Sequence, residues 1–136
     1  MPVSSRVPQG SILGPLLFIL FIDDICDEIS EGTNLELYAD DTKLWREIFC
    51  DKDQLLLQND INRLVMWSKR NLMTFHPDKC KAMAITNKCL DYHLPFYEFF
   101  YELDDCLLDY VNNEKHLGVL FDNKLSLSNH CELVVH

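Results

Sequence analysis

The sequence lacks a hydrophobic run long enough to cross a bilayer. Its longest uninterrupted apolar stretch covers only residues 16–22, whereas a transmembrane helix needs about 20 apolar residues. Arg6 is the only basic residue before this stretch and no small-residue cleavage site follows it, so neither a signal peptide nor membrane association is expected. Close Cys-x-x-Cys pairs are also missing. The six scattered cysteines therefore predict reduced thiols in an intracellular protein, in the nucleus or the cytoplasm.

Positive charge is scarce as well. Twelve Lys and Arg against 22 Asp and Glu give a formal net charge of −10. This balance argues against a free-standing nucleic-acid binder, because such binding depends on Lys and Arg that neutralise phosphates. No Lys or Arg occurs between Lys88 and Lys115, where we interpret the acidic residues as a solvated face. These residues are Asp91, Glu98, Glu102, Asp104, Asp105, Asp109 and Glu114.

What the chain does contain is enough apolar residues for a core. Its 136 residues are 48% hydrophobic, which fits one small domain or a piece of a larger one. The first predicted element is a helix from near Ile12 to about Ile25, capped by Ser11, with Gly14 and Pro15 in its first turn. Because this helix is apolar on almost every side, we expect it to be buried on most sides.

A β-hairpin is predicted next. Residues 35–39 alternate between apolar and polar, and residues 42–46 again resemble a strand. The two-residue connection between them would be Asp40-Asp41, since Asp tolerates the positive φ of tight hairpin turns better than most residues. The hairpin would therefore hold both carboxylates at its tip. From these residues alone, an ordinary polar turn is the favoured interpretation, and a metal site is the alternative.

A second helix and further strands follow. Asp51 with Gln54 three residues later resembles a capping box. Apolar residues then recur at helical spacing, at Leu57, Ile61, Leu64, Val65 and Leu72, and we place Met66 and Trp67 in the core or on its flank. Pro77 interrupts the pattern before an alternating strand over residues 82–86 and a short strand around Gly118.

Four ordered segments resemble the reverse transcriptases of non-LTR retrotransposons. They are "VPQGSILGPLLFILFIDDI", "LYADDTKLW", "NLMTFHPDKCKAM" and "HLGVLFDNKLS". The resemblance covers nearly the whole chain and is weakest at residues 87–112. Its specificity lies in the combination, because Asp-Asp alone also occurs at residues 23–24 and 104–105, where we expect no catalytic role.

The resemblance implies an α+β fold. This would be an incomplete polymerase palm, with a short antiparallel sheet whose catalytic β-hairpin packs on two helices. Residues 1–88 would form the partial palm. Residues 89–136 would form the connection from palm to thumb, with a hairpin that supports the primer.

The resemblance also implies a site for RNA-directed DNA polymerisation, with an RNA template, a DNA primer and deoxynucleotide triphosphates as partners. Asp40 and Asp41 match the catalytic pair that binds two Mg²⁺ ions through hard carboxylate oxygens. The other matching positions are Gln9, Gly10 and Lys79 against the nucleotide, and Tyr38, Ala39, Leu117 and Gly118 against the primer. A plain turn at Gln9-Gly10, a solvated Lys79, or Lys81 in its place are the alternatives.

The family takes a third carboxylate from an earlier strand, and the sequence begins only nine residues before Gly10. We therefore expect a truncated domain that is inactive alone. The alternative is an inert or domesticated remnant that acts as a protein-interaction module. In either case an exposed core surface would favour self-association.

Overall fold

The computed structural model of the chain describes residues 13–38, 41–85, 99–116 and 119–125. Contacts between Cα atoms divide the chain into two units, Met1–Phe75 and His76–His136. The expected boundary between residues 88 and 89 falls outside the described residues, so it stays a prediction. Each unit is described by itself.

The first helix, α1, spans Gly14–Ile22 and continues as a 3-10 helix over Asp23–Glu28. Pro15 lies in the first turn, as predicted, where a missing N–H costs no helical hydrogen bond. The N-cap is Leu13, and the predicted cap Ser11 lies outside the described residues. The α-helix ends three residues before the predicted Ile25. The acidic pair at positions 23–24 explains this, because negative charge is unfavourable at a helix C-terminus.

The prediction that α1 is buried on most sides is wrong. Within α1 only Gly14 and Ile22 are buried, and Phe18 is half-buried against the core. The other large side chains are 45–66% exposed: Leu16, Leu17, Ile19, Leu20 and Phe21. One face of the helix thus finds partners among the described residues. No helix in the described part of the chain combines the length and the apolar character needed to span a membrane.

The predicted hairpin is present, with β1 over Thr33–Tyr38 and β2 over Asp41–Arg46 paired antiparallel. Leu35, Leu37 and Leu44 pack against the core, whereas alternate positions of β1 are exposed. The connection differs by one residue from the prediction. Asp41 pairs with Tyr38 and begins β2, so it is a strand residue.

The second helix, α2, spans Asp51–Arg70. Its N-cap is Cys50, and Asp53 at N3 accepts hydrogen bonds from the Cys50 and Phe49 amides at 3.1 and 3.0 Å. The predicted box of Asp51 with Gln54 is therefore wrong by one residue. Gln54 instead lies on the buried face of α2, where it is only 4% exposed.

The burial of α2 follows the predicted spacing at most positions. Ile61, Leu64, Val65 and Trp67 are buried, while the polar residues Asn59, Asn62, Arg63 and Lys69 are exposed. The prediction that Leu72 continues the apolar pattern of the helix is wrong. This residue follows the helix end, has a φ of +55° and is 78% exposed.

The core of the first unit joins the helices and the hairpin. Ile22, Ile25, Leu64 and Trp67 form its centre, and Leu35, Leu37 and Leu44 pack against them together with Phe18, Ile29, Met73 and Phe75. This confirms a small mixed fold of helices and sheet in which the hairpin packs on helices.

The second unit contains a 3-10 turn at Pro77–Lys79 and short strand pairs. The antiparallel pairs are β4 (Glu102–Leu103) with β5 (Cys106–Leu107) and β7 (Asn113–His116) with β8 (Val119–Asp122). The parallel pair of β3 (Lys81–Ala82) with β6 (Asp109–Tyr110) departs from the expected antiparallel sheet.

The strand predicted over residues 82–86 is thus shorter than expected. Residues 83–85 are not in a strand, and residue 86 lies outside the described part.

Burial raises the pKa of Tyr101 to about 12, with the nearby Tyr110 adding to the effect. Its ring lies 5.0 Å from that of Phe99. Leu103 is also buried.

Candidate active site

The tip of the β1–β2 hairpin brings together two of the predicted site residues. Tyr38 and Asp41 are cross-strand partners, so their side chains point to the same face of the hairpin. Both are exposed, Tyr38 by 58%. Ala39 and Asp40, between them in the chain, lie outside the described residues.

The alternation of the strands determines which way this face points. Asn34, Glu36 and Tyr38 pair with Trp45, Lys43 and Asp41 on the face opposite the leucines. Because the leucines pack against the core, the carboxylate of Asp41 is directed away from it. The period-2 pattern of the sequence thus makes this carboxylate available to a ligand from solution.

The chemistry of Asp41 fits a magnesium ligand. A carboxylate offers the hard oxygen atoms that Mg²⁺ prefers, and an exposed one can bind the ion without displacing core residues. Among the described residues, no group of three or more His, Cys, Asp or Glu side chains could hold a metal ion. Asp41 can therefore supply only part of a site, and its sequence neighbour Asp40 is the natural candidate for a second ligand.

A cavity of about 360 Å³ lies at the other end of the hairpin, next to Trp45, Arg46, Glu47 and Asp53. Its lining has one basic residue, Arg46, against two acidic residues, Glu47 and Asp53. Because they would repel a triphosphate, this cavity is a poor nucleotide site. The candidate site is consequently the exposed surface at the hairpin tip, and this cavity is not part of it.

The second unit separates the two lysines that the sequence left as alternatives. The ammonium group of Lys81 lies 3.0 Å from an Asp109 carboxylate oxygen, across the parallel β3–β6 pair. Lys79 is exposed at the end of the 3-10 turn. Although an exposed pair contributes only about 0–1 kcal/mol, it directs Lys81 toward Asp109. The two lysines thus differ in their contacts, and the assignment of Lys79 or Lys81 to a nucleotide, or of Lys79 to solvent, stays a prediction.

The remaining predicted site residues, Gln9, Gly10, Leu117 and Gly118, lie outside the described residues. Around the last two, however, β7 and β8 form an antiparallel hairpin in which His116 pairs with Val119. The expected hairpin is thus present, and its contact with a primer stays a prediction.

The other two acidic pairs have local structural roles. Asp24 accepts a hydrogen bond from the buried indole of Trp67 at 2.9 Å. Asp104 and Asp105 have φ values of +51° and +62° between β4 and β5, in the left-handed region that tight hairpin turns require. The turn chemistry that we predicted for Asp40-Asp41 is therefore observed at this second pair.

Sequence reasoning missed the polar residues beneath the hairpin. Asp60 is completely buried and accepts a hydrogen bond from the hydroxyl of Ser30 at 2.7 Å. The available signal was spacing, since Asp60 precedes Leu64 and Trp67 by four and seven residues and so shares their face of α2. A buried carboxylate on that face requires polar partners.

The family model for "Reverse transcriptase (RNA-dependent DNA polymerase)" matches residues 1–121. The chain therefore belongs to the reverse transcriptase family. This confirms the resemblance drawn from the ordered motifs, and it favours the polymerase interpretation over the interaction-module alternative.

The curated relatives are polymerases of mobile elements from fruit flies. A probable RNA-directed DNA polymerase from transposon BS of Drosophila melanogaster is 32% identical over 132 residues, covering 91% of this chain and 14% of that protein. The RNA-directed DNA polymerase from mobile element jockey of Drosophila funebris is 27% identical over 141 residues. This match covers 98% of this chain and 15% of that protein. A probable polymerase from transposon X-element of Drosophila melanogaster is 29% identical, covering 94% and 14%. The chain thus spans about a seventh of each relative's length, and no solved structure matches it.

Proposed function

We propose that this chain is the part of an RNA-directed DNA polymerase palm that carries the catalytic hairpin. The single observation that carries the proposal is the pairing of Tyr38 with Asp41, which exposes an acidic residue of the family motif at the hairpin tip. The core contacts of Leu35, Leu37 and Leu44 support it, because they hold the hairpin on the helices.

The reaction would be nucleotidyl transfer, in which the primer 3′-oxygen attacks the α-phosphorus of a deoxynucleotide and pyrophosphate leaves. Asp40 and Asp41 would hold Mg²⁺. When bound, the ions stabilise the charge on the attacking and leaving oxygens. Tyr38 and Ala39 would lie against the primer end, which the 58% exposure of Tyr38 permits.

Further contacts of the intact polymerase belong to the same proposal. Gln9, Gly10 and Lys79 would contact the nucleotide, and Leu117 and Gly118 would support the primer strand. The partners would be an RNA template, a DNA primer and deoxynucleotide triphosphates, in the nucleus or the cytoplasm. Self-association through exposed apolar surface is a further expectation, supported by the exposed face of α1.

The test is to replace the aligned segment of a full-length relative with this chain and to measure primer extension on an RNA template. We expect extension by the unsubstituted graft. Asp41→Asn should reduce kcat by at least about 100-fold, because it removes a charged metal ligand. Asp40→Asn should do the same, whereas the isolated chain should show no extension.

The matched control is Asp105→Asn, which removes one charge from the acidic pair between β4 and β5. Asn also tolerates the positive φ of that position. We expect this variant to keep the rate of the unsubstituted graft within about twofold. Extension that survives Asp41→Asn, or a graft that folds but shows no extension, would contradict the proposal.

A further inference from the structure

One face of α2 carries three polar groups at intervals of seven residues, namely Asp53, Asp60 and Trp67. Residues seven apart on an α-helix lie on nearly the same face, with a drift of only about 20°, and are about 10.5 Å apart along the axis. Asp53 and Asp60 contact residues at the base of the hairpin, and Trp67 donates to Asp24 in the preceding 3-10 helix. This face of α2 therefore holds the chain before the hairpin and at its base.

The middle contact determines where β1 begins. Asp60 is 0% exposed and accepts hydrogen bonds from the Ser30 amide at 3.1 Å and the Ser30 hydroxyl at 2.7 Å. Arg63 Nη1 lies 3.5 Å from Asp60 Oδ1, and its positive charge compensates the negative charge of the carboxylate. The Ser30 carbonyl in turn accepts the N–H of Thr33, the first residue of β1, at 3.1 Å. A buried carboxylate thus holds Ser30, whose carbonyl contacts the first residue of the strand.

The contact at Asp53 holds the second strand at the same end of the hairpin, since Arg46 pairs with Thr33. Arg46, the last residue of β2, donates from Nη1 to the Glu31 carbonyl at 3.0 Å and to the Thr33 hydroxyl at 2.9 Å. Its Nε lies 3.7 Å from a carboxylate oxygen of Asp53, and the side chain is 11% exposed. Arg46 therefore links both strand ends to the first turn of α2.

Gly32 provides the space that Arg46 needs. It has a φ of +85°, and a Cβ added there would lie 3.2 Å from Arg46 Nη2. Glycine is thus required by the backbone conformation and by the close approach of the guanidinium group. The turn from residue 30 to residue 33 is consequently shaped around these polar contacts.

We infer that Ser30, Arg46, Asp53 and Asp60, here called the base clamp, are positioning residues that orient the hairpin tip for catalysis. The inference rests on the proposed function, because it concerns the carboxylates at that tip. A two-stranded hairpin alone is only marginally stable in water. Its orientation must therefore come from contacts outside the ladder, and the base clamp supplies polar, directional ones.

Because the tip is far from the base clamp, a small change of angle at the base displaces the tip by a larger distance. Each strand has six residues, so at about 3.3 Å per residue the tip is about 20 Å from the base. A tilt of about 5° at the base would move the tip by more than about 1.5 Å. Misplacement by about 1 Å can reduce the rate of a reaction about 100-fold.

The test uses the full 136-residue chain and measures amide hydrogen exchange by NMR in β1, β2 and the centre of α2. In Asp60→Ala and Ser30→Ala we expect exchange in the hairpin strands to accelerate at least about 10-fold more than in α2. Ser30→Thr keeps the hydroxyl group and should restore protection close to the unsubstituted level.

The matched control is Ile61→Val, which alters a buried residue beside Asp60 and no polar contact. It should accelerate exchange in the hairpin and α2 by the same factor. If Ser30→Ala also accelerates both elements equally, or if Ser30→Thr is no better than Ser30→Ala, the base clamp is overturned. The comparison of Ser30→Ala with Ser30→Thr tests the base clamp even if Asp60→Ala does not fold.

A second readout separates this inference from the proposed function. Mn²⁺, used in place of Mg²⁺, should broaden the amide signals of Asp41 and Thr42 in the unsubstituted chain. In Ser30→Ala, several-fold more Mn²⁺ should be needed, and Ser30→Thr should reverse the change. Absence of broadening in the unsubstituted chain would count against the metal site, while the exchange ratios would still decide whether the base clamp exists.

Discussion

Asp53 joins the beginning of α2 to the hairpin through one side chain. Its Oδ2 accepts the N–H groups of Phe49 and Cys50, and its Oδ1 faces Arg46. The hydrogen bond from the Phe49 amide, then the one from the Cys50 thiol, hold the pKa of Asp53 below its ordinary value of 3.8, and the charge of Arg46 adds to the effect. The folded chain therefore favours the ionised carboxylate.

This predicts a specific response to acid. Because folding lowers the pKa of Asp53, its stabilising contribution is fully present above pH 3.8 and is lost as the pH falls through the lower folded value. Urea unfolding between about pH 6 and pH 2 should show that Asp53→Asn flattens the decline in unfolding free energy.

Asp51→Asn is the matched control, since it removes an exposed charge from the same helical turn. It should leave the acid-dependent decline near that of the unsubstituted chain. Equal flattening by both variants would mean that the decline reflects net charge and not the contacts of Asp53.

At the level of elements, alternation and helical spacing predicted the hairpin and α2, because both patterns report which side of an element faces the core. The boundaries were less predictable. Asp41 became a strand residue because cross-strand pairing with Tyr38 continues to that position. Similarly, α2 is capped from Cys50 because Asp53 reaches back to the amides that precede the helix.

The contact between the 3-10 helix and α2 gives an element-scale prediction. Trp67 is 2% exposed and its indole N–H donates to Asp24 at 2.9 Å. Trp67→Phe removes this donor and leaves a partly unfilled space, so it should lower the unfolding free energy by about 1–3 kcal/mol. Urea unfolding followed by circular dichroism would measure the loss.

Trp45→Phe is the control for this substitution. Trp45 lies on the exposed face of the hairpin and is 47% exposed, so its replacement should change the unfolding free energy by less than about 0.5 kcal/mol. Comparable losses in the two variants would show that the indole of Trp67 contributes no more than a surface side chain.

For the whole molecule, the exposed apolar face of α1 is the surface that most favours association. Leu16 and Leu20 are 54% and 66% exposed, and they are four residues apart on the same face. Apolar surface of this kind favours association because contact removes it from water. The acidic net charge of −10 opposes association and should make it dependent on salt.

We therefore expect the chain to self-associate reversibly, with a mean mass that rises with protein concentration in sedimentation velocity. Leu16→Gln combined with Leu20→Gln should raise the dissociation constant at least about tenfold, since burial of each leucine contributes about 1.5–3 kcal/mol.

Leu55→Gln combined with Leu72→Gln is the matched control, because these leucines are 55% and 78% exposed outside α1. This pair should leave the dissociation constant unchanged. A monomer at every concentration in the unsubstituted chain would show that the exposed face of α1 does not drive association.

The amino-acid sequence was enough to predict the family, the hairpin, the second helix and the acidic pair of interest. These features are encoded in ordered motifs and in periodicities that span a few residues. The three-dimensional fold was needed to show that Asp41 belongs to a strand, that most of α1 is exposed, and that Asp60 holds Ser30. The last contact joins residues 30 positions apart. Local patterns cannot specify such a pair, because its formation depends on how the hairpin and α2 pack together.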